Sequence, residues 1–436
     1  MQRKQHKIST GWCVLSSALE KFQNSLFIIL SLMMIFFSSH SSLSKFFDYT
    51  FIYPIIGLLF SSLILINARK IFLIREFSVL SFILIFLILL YFLADVLILE
   101  YKKSIGWAAV ISYIVILNNQ STETILKFLK VYINIIALIS GISIFLYIYF
   151  IFFGKGNFEN FFLIKNSLIH YDSMVNTLLG KLPRITAHLN QASLIPAYFI
   201  FPFAIYQSFT KKILYVPLII ISSYMLLTFG SSVYLLIISG LLLSILFPFL
   251  KKTITPLFLM NFLFFSLLAV LVGLVFLDSG GQGSIQNNLF FRVGSGVARL
   301  MILYSQIDIF FHNFLTGYNS IDMNRDIFLL GSVLWGSGVR VGIFGFLIAA
   351  IFFLALSKRV VNIPHTLSRN KISISFTIAC IFMTTGFQDF GFSSFSGFTF
   401  FGILSILLDR IITHKPSDNL DSKNRIMRSN NLNLNQ

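Results

Sequence analysis

The chain has 436 residues, of which 56% are hydrophobic, 16% aromatic and only 11% charged, and its mean hydropathy is +0.85. Soluble domains carry about 25% charged residues, so this composition excludes an ordinary water-soluble enzyme and predicts an all-α polytopic membrane protein, a single bundle of roughly a dozen helices. The net charge of +17 does not imply a nucleic-acid partner, because the basic residues are scattered between apolar runs rather than gathered on one face.

Apolar runs of membrane length lie near 23–39, 50–67, 78–98, 104–118, 130–153, 191–207, 213–229, 232–250, 256–277, 340–356, 372–387 and 395–412, which predicts twelve spans. The fourth, IGWAAVISYIVIL, is short and followed by two asparagines, so it reads as tilted and protein-buried, with eleven spans as the alternative. The first run follows more than twenty residues and lacks a small-residue cleavage site, which makes it an uncleaved anchor. With the N-terminus inside, 22 of the 33 basic residues and 6 of the 16 acidic ones fall on the cytoplasmic side. That side then carries +16 and the outer side +1, so the positive-inside rule accounts for nearly all the net charge. Both termini are expected in the cytoplasm. The polar, Asn-rich tail over 413–436 is expected to be disordered, since it has too little apolar surface to bury.

Two outer loops break the pattern of tight connections, 154–190 and 278–339, and both hold too much Phe, Leu and Ile for disordered linkers. In the first, Phe161, Ile164, Leu168, Tyr171, Val175 and Leu178 recur at three- and four-residue spacing, which predicts a helix on the membrane surface closed by Gly180 and Pro183. In the second, Val293, Val297, Leu300, Tyr304, Ile307, Phe311 and Phe314 form an apolar stripe, with Arg292, Ser295, Arg299 and Gln306 opposite. Arg292 and Arg299 are seven residues apart, so on a helix both guanidinium groups share a face about 10 Å apart along the axis.

Arginine offers a planar fork of donors that matches phosphate oxygens in pairs, and Arg184, Arg292, Arg299, Arg325 and Arg340 all fall on the outer side, against the topological bias. Any one of them has an equally good reading as a loop arginine paired with Asp308, Asp322, Asp326 or a lipid headgroup; as a set they point to an anionic ligand. His188 and Asn190 follow Arg184 closely, and a neutral histidine beside a held diphosphate is placed to take a proton from an attacking sugar hydroxyl. Tyr318, Asn319 and Asp326 are candidates for sugar hydroxyls, although a solvated turn explains them as well. The chain has no Walker loop, no dinucleotide glycine pattern, no H-E-x-x-H and no acidic pair with metal spacing, so neither a cofactor nor a metal is expected. Cys13 and Cys380 supply no disulfide framework. The apolar runs are nearly free of ionisable groups, with Asp95 and Asp409 near run ends, which argues against an ion-coupled carrier.

Three stretches carry a resemblance. RITAHLNQAS at 184–193 is similar to a loose pattern of Arg, Thr-Gly and a small polar triplet just before a span, with Arg184, Thr186 and Ser193 matching and Ala187, Gln191 and Ala192 departing. LLTFGSSVYLLIISG at 226–240 looks like the Thr/Ser-rich opening of the following span, without the arginine often found there. Arg292 with its amphipathic stretch to FLTGYN at 314–319, then GSVLWGSGVRVGIFGFL at 331–347, resembles a second long loop leading to a Gly-x-x-Gly span start. Together these resemble the bacterial O-antigen polymerases, within the superfamily that includes the O-antigen ligases. The ligases usually carry a His-Asn pair before the last of these spans, and this chain has Asn324, Arg325 and Asp326 there, which favours the polymerases.

The resemblance implies a glycosyltransferase of the bacterial inner membrane, acting on its periplasmic face to join undecaprenyl-diphosphate-linked oligosaccharide repeat units, without metal or nucleotide sugar. Arg184 and Arg292 would hold the diphosphate with Arg299 beside them, His188 is the candidate base, and Asn190, Tyr318, Asn319, Arg325, Asp326 and Arg340 would contact substrate. Expected partners are the lipid-linked oligosaccharide, membrane lipids and a chain-length regulator. The alternatives are a lipid-linked oligosaccharide flippase and a ligase of the same superfamily. A flippase would line a central cavity with charge from many helices and would have little use for two long outer loops.

Overall fold

The computed structural model describes residues 21–36, 52, 54–64, 79–97, 101–162, 170–177, 180–187, 189, 194–228, 231–250, 305–318, 332–363, 371–386 and 395–413. Helices α1 (Lys21–Phe36), α2 (Pro54–Ile64), α3 (Val79–Leu97), α4 (Tyr101–Asn119) and α5 (Thr122–Phe162) are followed by strands β1 (His170–Thr177) and β2 (Gly180–Ala187). Then come a π-helical turn (Pro196–Ile200) continuing into α6 (Phe201–Ser208), α7 (Tyr215–Leu227) and α8 (Ser231–Leu250). A short helix α9 (305–312), α10 (Val333–Val341), α11 (Ile343–Val361), α12 (Lys371–Gly386) and α13 (Phe395–Thr413) complete the described chain.

These helices overlap every predicted apolar run except 256–277, which lies outside the described residues, as does most of the tail over 413–436. Among the described residues three helices are both long and apolar enough to cross a membrane, Val79–Leu97, Thr122–Phe153 and Ile343–Val361. Lipid offers no partner for backbone N–H and C=O groups, so an apolar segment of this length satisfies them internally by becoming a helix. The helix starts are written locally. Ser121 precedes α5, and its hydroxyl oxygen accepts from the Thr124 amide at 3.1 Å, while Glu123 in the first turn complements the helix dipole. Pro196 opens the π turn and Pro202, which has no N–H, falls in the first turn of α6; the Phe201 amide instead reaches back five residues to the Pro196 carbonyl.

At 41 residues α5 is about 62 Å long, roughly twice the hydrocarbon thickness of a bilayer. It therefore runs past residue 153, and the segment 154–190 begins as its continuation. Over 170–177 the expected surface helix is replaced by a strand of an antiparallel hairpin, in which Thr177 pairs with Gly180 and Val175 with Leu182 across a two-residue connection, while 163–169 lie outside the described residues. Gly180, whose spacing predicted a helix end, opens β2. Tyr171, Val175, Thr177, Ile185 and Thr186 fit a strand as well as a helix, and pairing across the tight turn decides between them. Pro183 sits opposite Met174 and is tolerated because both strands of a two-stranded sheet are edges. The hairpin packs against α5.

The centre of the bundle is built from α12 and α13, whose described residues are buried on nearly all sides. α12 packs against α8 and α6, α13 against α4 and α3, and α5 against α7. Aromatic rings cross these contacts: Phe27 of α1 stacks on Tyr113 of α4 at 5.8 Å, Tyr113 meets Phe60 of α2 at 5.4 Å, and Phe401 of α13 meets Phe201 of α6 at 5.1 Å. Where helices approach most closely the residue is small. A Cβ on Gly240 of α8 would lie 2.8 Å from the Phe376 ring of α12, so glycine is what lets these two helices seat. Buried hydroxyls such as Ser31, Ser208 and Ser405 donate to the carbonyl four residues earlier, so they enter the core without an unmet donor.

Candidate functional site

Asp95 is fully buried near the C-terminus of α3, an otherwise apolar 19-residue helix. A carboxylate in such surroundings needs partners for both oxygens. Trp107 of α4 donates its indole N–H to Asp95 Oδ2 at 2.9 Å, and Arg340 of α10 donates from Nη2 to Oδ1. The guanidinium also lies over two rings, 4.9 Å from the centroid of Tyr91 and 5.6 Å from that of Trp107, so it gains cation–π attraction in place of hydration. Tyr91, Trp107 and Phe398 of α13 pack edge to face with centroids 5.2 to 5.8 Å apart, forming an aromatic wall around the ion pair.

The pairing is a meeting of two helical ladders. Tyr91 and Asp95 are one turn apart on α3, and Ser337 and Arg340 one turn apart on α10. Ser337 gives its proton to the Val333 carbonyl at 2.6 Å, so in its contact with Tyr91 the phenol is the donor. Arg340 also stands in the last turn of α10, where a cation is favoured by the helix dipole. Its side chain keeps 22% of its surface exposed, while that of Asp95 keeps none, so the pair is exposed only through Arg340.

Backbone crossing holds α10 in this position. The Tyr318 amide donates to the Val339 carbonyl and the Ile343 amide to the Phe314 carbonyl, both at 2.7 Å. Gly317 and Gly342 sit at the crossing with φ of +74° and +72°; a Cβ on Gly317 would come within 2.7 Å of the Arg340 carbonyl, and one on Gly342 within 2.9 Å of the Gly317 nitrogen. Ser332 caps α10, accepting from the amides of Leu334 and Trp335, while its own amide donates to Gln306 Oε1 at 3.0 Å and its hydroxyl to the Thr385 carbonyl of α12. Gly342→Ala is accordingly expected to cost at least about 1–2 kcal/mol from the left-handed backbone alone. Gly336→Ala is the control, because its Cβ would meet only Gln306 Nε2 at 3.5 Å and alanine favours the helix. Thermal unfolding of the two purified variants in detergent compares them.

The structure thus brings together two of the predicted site residues, Tyr318 and Arg340, and places Arg184 on β2 between Pro183, which faces Met174, and Ile185, which faces Tyr171. His188, Asn190, Arg292, Arg299, Asn319, Arg325 and Asp326 lie outside the described residues. One expectation is corrected. The run expected to span from 340 begins as α11 at Ile343, because Gly342 turns the chain and leaves Arg340 on α10. Asp95 lies near the end of its helix as expected and is in addition the counter-charge of Arg340, while Tyr91, Trp107 and Ser337 were not singled out from the sequence. One signal for Asp95 was present: an acidic residue in an apolar helix is costly and therefore usually paired.

Where the second loop is described, the packed face is not simply the apolar stripe. Gln306, expected opposite the stripe, is fully buried against Ser332; of the stripe itself Ile307 packs against the core, whereas Phe311 and Phe314 are exposed. Phe310 turns inward instead, stacking on Phe346 at 5.4 Å and meeting Trp335 at 5.6 Å. Docking against α10 and α11 selects this face, since Gln306 there satisfies the Ser332 amide that starts α10. Among the described residues no three His, Cys, Asp or Glu side chains gather as metal ligands. No family model, no curated protein and no solved structure matches the chain.

Proposed function

We propose that the chain is a glycosyltransferase of the bacterial inner membrane that polymerises undecaprenyl-diphosphate-linked oligosaccharide repeat units on the periplasmic face, with twelve spans and both termini in the cytoplasm. The observation that carries the reading is the set of arginines on the side where the charge asymmetry leaves only +1, together with the short stretches that resemble O-antigen polymerases at 184–193 and from Arg292 to 347. The ion pair sharpens the assignment within that set. Arg340 already has a counter-charge in Asp95, so it is a weaker host for an anion than an arginine without one. Arg184 and Arg292, which stand in the stretches that carry the resemblance, are proposed to hold the diphosphate together with Arg299, and Arg340 with Tyr318 to line the site.

In the proposed step a hydroxyl of the incoming unit's non-reducing-end sugar attacks the anomeric carbon of the growing chain. The bond from that carbon to the diphosphate oxygen breaks, the hydroxyl proton passes to His188, and undecaprenyl diphosphate leaves with the bonding electrons. Charge develops on the leaving diphosphate, and paired guanidinium donors stabilise it where another enzyme would use a cation.

Deleting the gene distinguishes this reading from its alternatives. Loss of a polymerase leaves a single repeat unit on the final acceptor, loss of a flippase leaves none, and loss of a ligase leaves polymer on the lipid carrier. The first pattern, restored to polymer by the cloned gene, is the expected result.

A further inference from the structure

The segment 305–318 carries an apolar surface that no other described residue covers. Phe311 is 64% exposed and Leu315 69%, and both lie one turn apart on the side facing away from Gln306 and Phe310. Phe314 is exposed beside them, and its carbonyl accepts from the Ile343 amide, so this surface adjoins the first turn of α11. There Phe344 is 64% exposed, and Leu347, Ile351 and Leu354 continue from it at three- and four-residue spacing along a helix long and apolar enough to cross a membrane. The next strip around α9 is polar: the side chains of Asp308 and His312, one turn apart and in contact with each other, are 55% and 75% exposed.

We propose that the segment 305–318 is an interfacial element, seated in the membrane–water boundary with Phe311, Phe314 and Leu315 in lipid and Asp308 and His312 in water. Continuity carries the argument. The exposed strip of α9 adjoins the exposed strip of α11 where the Ile343 amide binds the Phe314 carbonyl, and the backbone crossing at Gly317 and Gly342 holds the two together. A helix with adjacent apolar and charged strips lies in the interface plane, because only there does each strip meet its own solvent. Phe and Leu are side chains that such helices bury at the headgroup–acyl boundary. A wholly aqueous loop would leave three large apolar side chains in water next to a membrane-crossing helix. On the polymerase reading, on which this one further point rests, Tyr318 and Arg340 then stand at headgroup depth, where a lipid-linked diphosphate lies.

The test uses the full chain in nanodiscs, with Cys13→Ser and an environment-sensitive fluorophore on a single new cysteine at Leu315, Phe311 or Asp308; Cys380 is buried and stays. Lipids brominated on their acyl chains and aqueous iodide are the two quenchers. For Leu315→Cys and Phe311→Cys, brominated lipid is expected to quench strongly and iodide several-fold less than at Asp308→Cys. Iodide quenching at 311 and 315 as strong as at 308 would place the strip in water and overturn the proposal. Protection from both quenchers would mean that protein, such as a second copy, covers it, and would overturn it equally. The measurement reads seating alone, so it stands apart from whether the chain polymerises sugars.

Discussion

Arg340→Ala is expected to destabilise the protein by about 3–5 kcal/mol, the range seen when one member of a buried ion pair is removed and the other is left behind. The variant leaves Asp95 fully buried with the indole of Trp107 still bound to Oδ2 and nothing on Oδ1, and it also empties the space over two aromatic rings. Replacing both charges, as in Asp95→Leu with Arg340→Met, is expected to recover much of this loss, because no unpaired charge then remains and the lost hydrogen bonds are offset by apolar packing. Thermal unfolding in detergent and abundance in membranes read both variants. If the double variant is no more stable than Arg340→Ala alone, the pair is not what holds α10 to α3. Arg340→Lys should fall between, since an ammonium keeps the charge but loses the planar stack over Tyr91 and Trp107. Polymer assays on the double variant separate two roles: restored abundance with restored polymer makes Arg340 a structural residue only, and restored abundance without polymer assigns it to substrate as well.

The larger effect on activity is expected at Arg184 and Arg292. If these two grip the diphosphate through paired, charge-assisted hydrogen bonds, Arg→Ala at either should abolish polymer while leaving protein in the membrane. Removing one such partner from a desolvated site costs about 2–4 kcal/mol, roughly a 30- to 1,000-fold loss of rate. Arg→Lys should also fail substantially, because a point charge does not reproduce the fork. Arg299→Ala should hurt more than Lys165→Ala, a loop charge expected to cost under about 1 kcal/mol. Arg184 lies on β2 between the paired residues Pro183 and Ile185, at a shift in the register of the hairpin. Near-normal polymer from either alanine variant at normal abundance would place the diphosphate elsewhere and end this assignment.

The positions of the helices were legible because their cause is local. A run such as VLSFILIFLILLYFLADVL can meet lipid or core only as a helix, and nothing distant is needed to say so. The N-cap at Ser121 and the prolines at 196 and 202 are likewise written beside the structures they shape. The first long loop misled because its apolar residues recur at a spacing that fits a helix, while the hairpin depends on pairing between segments that periodicity does not register. In the second loop the apolar stripe was visible but its direction was not. Phe310 and Phe311 are adjacent and chemically identical, and only contact with Trp335 and Phe346 decides which of them turns inward.

By itself the sequence determined that the chain is helical, where most of its described helices run, and that some of them are apolar enough to cross a membrane, because apolar length is a property of short segments. Only the tertiary structure decided that Arg340 answers Asp95. Those residues are 245 positions apart, and no local rule couples them until α3 and α10 are packed together. The same docking made glycine necessary at 317 and 342, where two backbones cross too closely for any side chain, and set which face of α9 packs inward, leaving Phe311 and Leu315 exposed.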